Sequence, residues 1–192
     1  AIVRWTSALV PIIAAIVLWR VWHKWRRAGP SGRRALLPLM VAVPFLTGGV
    51  EAGEPTIVRL DRDHSDMVRR ALGDVEGLTY LAPGQYSRPA AAIQQLRQLV
   101  VEGVDAGAER VRVVGDMPHP GVGVPWDWWC RYEATVNYAL RDVPLWGLCP
   151  YDTRITPDYV LADAVATHPF LATTDGRHLV NDRYDRAAEV FT

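Results

Sequence analysis

The chain predicts an α/β fold, a three-layer domain built on a mostly parallel sheet, and three observations carry that reading. Short apolar segments, IVRL at 57–60, VRVVG at 111–115 and LWGLC at 145–149, recur between helical-periodic stretches of ten or more residues. The segments are nearly continuous in apolar residues, as expected for strands covered on both faces. Glycine and proline punctuate the joints.

In order, the pattern predicts a helix over 35–49, a strand over 56–60, a helix over 65–72, a strand over 78–82 and a long helix over 89–106. A strand over 110–115, a helix over 126–140, a strand over 145–149 and a helix over 157–166 follow. Gly73 and Gly107 read as helix stops, and Thr156 before Pro157 reads as an N-cap with proline at the first helical position.

The first 27 residues are different material. From Trp5 to Trp19 the run is weakly polar to apolar over 15 residues, where a membrane span needs about 20. Flanking tryptophans and snorkelling Arg4 and Arg20 stretch the usable length, and a cluster at Arg20, His23, Lys24, Arg26 and Arg27 follows. Residues 1–27 are therefore expected to form a hydrophobic helix that anchors in or contacts the membrane from the cytoplasmic side; a surface or partner-packing helix is the alternative. A cleaved signal peptide fits poorly, because the basic cluster comes after the apolar run. Residues 28–34, with Ala-Gly-Pro-Ser-Gly, read as a linker, 35–175 as the main domain and 176–192 as a C-terminal extension.

Composition excludes several functions. Lys plus Arg (21) balance Asp plus Glu (21), which leaves no global basic field to hold nucleic acid. Two cysteines build no disulfide framework, and no Cys-x-x-Cys spacing suggests zinc. Lys24 is the only lysine and sits outside any phosphate-loop pattern, while Gly121-Val-Gly123 lacks the third glycine of a dinucleotide fingerprint. Ser65 and Ser87 stand in no nucleophile elbow.

Parallel sheets bind ligands beyond the carboxyl ends of their strands. Asp61, Asp63 and His64 follow the first strand, Asp116 and His119 the third, and Tyr151 and Asp152 the fourth. In PWDWWCRYEATVNYAL, Trp126, Cys130, Glu133 and Asn137 are spaced four, three and four apart, one helical stripe that puts a carboxylate and an amide on a largely apolar face. That pair either faces a ligand or satisfies a neighbouring loop. Cys149 reads as a packed thiol or a sensor, and His168, before Pro169, as a helix-terminal imidazole or as a partner to Cys149.

PFLTGGVEAGEPTIV (44–58), RVVGDMPHPG (112–121), WCRYEATVNYAL (129–140), LWGLCPYDTRITPDYV (145–160) and THPFL (167–171) together resemble the MEDS domain, the sensory domain named after methanogens, methylotrophs and the regulator DcmR. The resemblance spans roughly 38–171. It implies a RecA/KaiC-like α/β domain without a working phosphate loop and a non-catalytic sensory role; from the residues themselves no cofactor and no metal is expected, His64 and His119 with Asp61, Asp63 or Asp116 reading as polar loop residues rather than metal ligands. It also implies a small-molecule ligand, such as a hydrocarbon derivative, and a regulatory partner, such as an anti-sigma-type kinase, a histidine kinase or a sigma-factor pathway component. By the resemblance, Glu133, Asn137, Cys149, Tyr151, Asp152 and His168 form the functional surface, and Asp116 and His119 are expected to join it from their place after the third strand. Family members begin with a His-containing strand, whereas here Arg33 to Leu37 runs straight into PLMVAVPFL. The reading is a regulatory domain at the inner membrane face or in the cytoplasm. The alternatives are a ligand-independent interaction module and, third, a cysteine enzyme using Cys149, His168 and Asp152.

Overall fold

Neighbouring residues of the first strand already show how the sheet is covered. In the computed structural model Ile57 packs with Val100, Val111 and Val113 on one face, while Val58 packs with Val43, Leu46, Val68 and Val114 on the other. Successive side chains of a strand point to opposite faces, so continuous apolar strands require helices above and below. The structure describes residues 19, 22–23, 26–27, 30–73, 75–82, 89–115, 125–151, 153, 156–172 and 177–184.

The elements are α1 (Pro30–Glu51), β1 (Thr56–Arg59), α2 (Arg62–Leu72), β2 (Leu78–Tyr80), α3 (Pro89–Asp105), β3 (Val111–Gly115), α4 (Trp126–Leu140), β4 (Leu145–Leu148), α5 (Asp158–Thr167), β5 (Phe170–Ala172) and β6 (His178–Val180). Strands β2-β1-β3-β4 form one sheet, parallel throughout, with Ile57 opposite Thr79 and Val113, and Val113 opposite Gly147. Helices α1 and α2 cover one face and α3 the other. Helix α4 packs on α3 through Trp129, Tyr132 and Ala92. The predicted three-layer α/β fold with a parallel sheet is what forms.

Several boundaries differ from the sequence reading. Helix α1 starts at Pro30, so residues 30–34 of the expected linker are helical; proline suits a first helical turn because its missing N–H has no intrahelical role there. Helix α2 starts at Arg62, not 65, because the Asp61 carboxylate accepts from the His64 backbone N–H at 2.8 Å and caps it. Helix α5 starts at Asp158: Pro157 is itself the cap, with ψ at 148°, and its carbonyl accepts the first helical bond from Leu161. Thr156 makes no cap. Finally, an antiparallel hairpin, β5–β6, occupies the end of the domain and part of the expected C-terminal extension. Of the expected N-terminal helix, residues 19, 22–23 and 26–27 are helical and the rest lies outside the described residues. No helix among the described residues is long and apolar enough to cross a membrane.

Asn181 ties the hairpin to the domain. Its side-chain amide donates to the carbonyls of Val165 (2.6 Å) and His168 (2.7 Å), satisfying groups that the end of α5 leaves unpaired.

Candidate functional site

Helix α4 buries Trp129 against Tyr132, with ring centroids 5.4 Å apart, and this fixes the rotation of the helix. The stripe Trp126, Cys130, Glu133 and Asn137 is thereby turned toward α5. Trp126 Nε1 donates to Asp163 at 2.6 Å, and the Asn137 amide donates to the Thr167 carbonyl. Asn137 thus serves the last turn of α5, the structural role of the two weighed for it.

Strand β4 delivers Cys149, Pro150 and Tyr151 past the edge of the sheet. On the opposite side, α5 ends at His168 because the residue before a proline is pushed out of helical conformation; His168 has φ −110° and ψ 122°. Its ring folds back onto the helix end, with Nδ1 2.6 Å from the Ala164 carbonyl. That carbonyl only accepts, so Nδ1 donates and Nε2 is aimed elsewhere. It lies 3.5 Å from Glu133 Oε2.

Glu133 is 5% exposed, and its Oε1 has no hydrogen-bond partner among the described residues; the buried Tyr151 hydroxyl is in the same position. Burial pushes the Glu133 carboxyl above its ordinary range, with His168 opposing. Burial also raises the Tyr151 phenol, reinforced by Glu133, Cys149 and Cys130, and it raises the Cys130 thiol, reinforced by Asp163, Glu133 and Asp127. The ring of Tyr151 meets that of His168 edge-on at 6.3 Å. Glu133, Cys149 and His168 present ligand-type atoms that all lie within 4.8 Å of one another.

Beside this cluster lies a cavity of about 490 Å³. Val41, Leu148, Leu161, Val165 and Leu171 supply apolar wall, and Cys149, Tyr151, His168 and His178 add polar atoms. A pocket with mostly apolar walls and few polar groups is the usual composition of a small-molecule site. It lies at the end of β4, one of the strand ends that the sequence reading singled out.

Of the residues expected at the site, Glu133, Cys149, Tyr151 and His168 come together, while Asp116, His119 and Asp152 lie outside the described residues. Of the residues after β1, Asp61 and His64 do other work: Asp61 caps α2 and pairs with His64 at 2.9 Å. Sequence reasoning missed His178 and Phe170, which line the cavity, and Asn181, which holds the hairpin beside it. Phe170 lay within the THPFL segment without being singled out, and no signal pointed to His178 or Asn181, since FLA and HLV are three-residue strands with no resolvable period.

These features define an α/β domain with a ligand-sized cavity and a buried polar cluster at the carboxyl end of its edge strand. The MEDS family, described as the methanogen/methylotroph, DcmR sensory domain, matches residues 38–169, and the chain belongs to it. The transcriptional repressor DcmR of Methylorubrum extorquens (strain DSM 6343 / CIP 106787 / DM4) is 25% identical over 150 residues, covering 72% of this chain. The chain spans 54% of that relative's length. No solved structure matches it significantly. Family and relative point to sensing and regulation rather than to catalysis.

Proposed function

We propose that this chain is a non-catalytic regulatory domain that binds a small, largely apolar molecule in the cavity beyond β4 and passes occupancy to a regulatory partner or output segment. The carrying observation is the cavity itself: about 490 Å³, apolar over most of its wall, with Cys149, Tyr151 and His168 among its few polar groups. Its walls suit a short aliphatic or halogenated hydrocarbon derivative better than a nucleotide, whose phosphates need cationic or backbone N–H partners. The sensory character of the family and the repressor function of the relative support the regulatory half. A ligand shifts such a domain only through differential affinity for two states, and α5 and the β5–β6 hairpin are among the elements that border the cavity.

The test is a thermal-shift titration of the chain with short aliphatic and halogenated compounds. A ligand at 100 times its Kd adds about 2.7 kcal/mol of apparent stability. The expected result is a saturable rise in Tm that is strongly reduced in Val165→Trp. Val165 supplies apolar wall, so the larger side chain takes up space inside the cavity. A folded chain that shifts with no compound of either class would overturn the reading in favour of a ligand-independent interaction module.

A further inference from the structure

Glu133, Cys149 and His168 come from three separate elements, α4, the end of β4 and the end of α5, and converge at one point. With Nδ1 of His168 taken up by the Ala164 carbonyl, Nε2 is the ring nitrogen turned toward Glu133, 3.5 Å from Oε2. Glu133 Oε1 is a fully buried acceptor with no hydrogen-bond partner among the described residues, an uncommon condition for a native carboxyl group.

We propose that Glu133, Cys149 and His168 form a binding site for a borderline divalent cation of the zinc class. The donor set of one carboxylate oxygen, one imidazole nitrogen and one thiolate sulfur suits Zn²⁺ and Co²⁺ and disfavours Mg²⁺ and Ca²⁺, which take oxygen ligands. The His–Glu separation of 3.5 Å is close to the edge of a tetrahedron with ligand bonds of about 2.1 Å, about 3.4 Å. The remaining ligand atoms, at most 4.8 Å apart, close to tetrahedral spacing by movements of about an ångström. The His168–Ala164 hydrogen bond is the outer contact that orients a metal-bound imidazole. Three protein ligands leave a fourth position, and two of the three, Cys149 and His168, line the cavity, so this position faces the space where a small molecule sits.

The experiment is titration of the metal-free chain with Co²⁺, followed by absorbance and then by displacement with Zn²⁺. The expected result is one Co²⁺ per chain, with a near-ultraviolet thiolate-to-cobalt band and the intense visible bands of tetrahedral cobalt. Both should vanish on adding Zn²⁺. In Cys149→Ser the thiolate band disappears, and in His168→Gln the affinity falls at least about tenfold, since losing a ligand costs no less than losing an outer contact. Cys130→Ser, which changes the other thiol, retains both. Protection of Cys149 from alkylation by Zn²⁺, mapped by mass spectrometry in the unaltered chain, gives the same answer without any variant. Absence of a thiolate band, a band that survives Cys149→Ser, or alkylation of Cys149 unchanged by Zn²⁺ overturns the proposal. The cavity reading is tested separately: cobalt binding is read with no organic compound present, and a compound-induced Tm shift is read in chelator-treated protein.

Discussion

Glu133 is the residue on which burial and charge conflict most directly. Its carboxyl is raised above the ordinary value of 4.5 because burial outweighs the attraction of His168. Between that ordinary value and the raised one, the folded chain holds a proton that the unfolded chain has released. Stability therefore falls as pH rises through this window and is fully retained below it. In chelator-treated protein, Glu133→Gln removes this dependence. Urea midpoints of variant and parent are expected to converge near about pH 4 and to separate near about pH 7, with the variant higher. Parallel midpoints at both pH values would mean that Glu133 is not held protonated by its surroundings. The residue itself was legible in the sequence, because a carboxylate on a tryptophan-rich helical stripe stands out. Its companions were not: Cys149 and His168 lie 16 and 35 positions away, and only the packing of α5 against α4 brings them together. Asn137 shows the converse, a residue on the same stripe whose amide is taken up by the Thr167 carbonyl.

At the scale of elements, helix and strand order was readable because the central strands β1 and β3 are buried on both sides and each helix is long enough to show its period. The hairpin β5–β6 was not, since six residues in two strands carry no period and Asn181, not an apolar pattern, attaches them. Close approach of α1 to the sheet turns on Gly49. At Gly49 an added Cβ would lie 2.3 Å from Thr56 Oγ1 and 2.8 Å from Arg112 Cδ, so the helix would have to move off β1 and β3. Gly49→Ala is expected to lower stability by about 1–3 kcal/mol, the usual cost of overpacking, whereas the helix-propensity gain of alanine alone would raise it. Urea denaturation gives the sign, and a stabilised variant would show that α1 shifts without cost.

Across the whole molecule, polar groups are treated differently at the two ends of the sheet. Near the amino ends of β1 and β3, Arg112 pairs with Glu54, donates to the Phe45 carbonyl at 3.0 Å, and lies over the rings of Trp146 and Phe45 at 4.9 and 5.3 Å. One side chain thereby joins α1, the segment before β1, β3 and β4. Beyond the carboxyl end of β4, by contrast, Glu133 Oε1 and the Tyr151 hydroxyl are buried without hydrogen-bond partners among the described residues. A satisfied ion pair at one end is consistent with a framework role, and unsatisfied groups at the other with a site that waits for a ligand. The framework half of this contrast predicts a specific non-additivity. Arg112→Met alone leaves Glu54, 12% exposed, with the longer 4.0 Å pair to Arg110 in place of its close partner, and is expected to cost about 1–3 kcal/mol. Adding Glu54→Gln removes the weakly compensated charge, so the double variant should recover part of that loss and be more stable than Arg112→Met alone. Urea denaturation of the two single variants and the double variant closes the cycle. Purely additive losses would show that Arg112 acts through its packing on Trp146 and Phe45, with the charge of Glu54 contributing nothing to the hold.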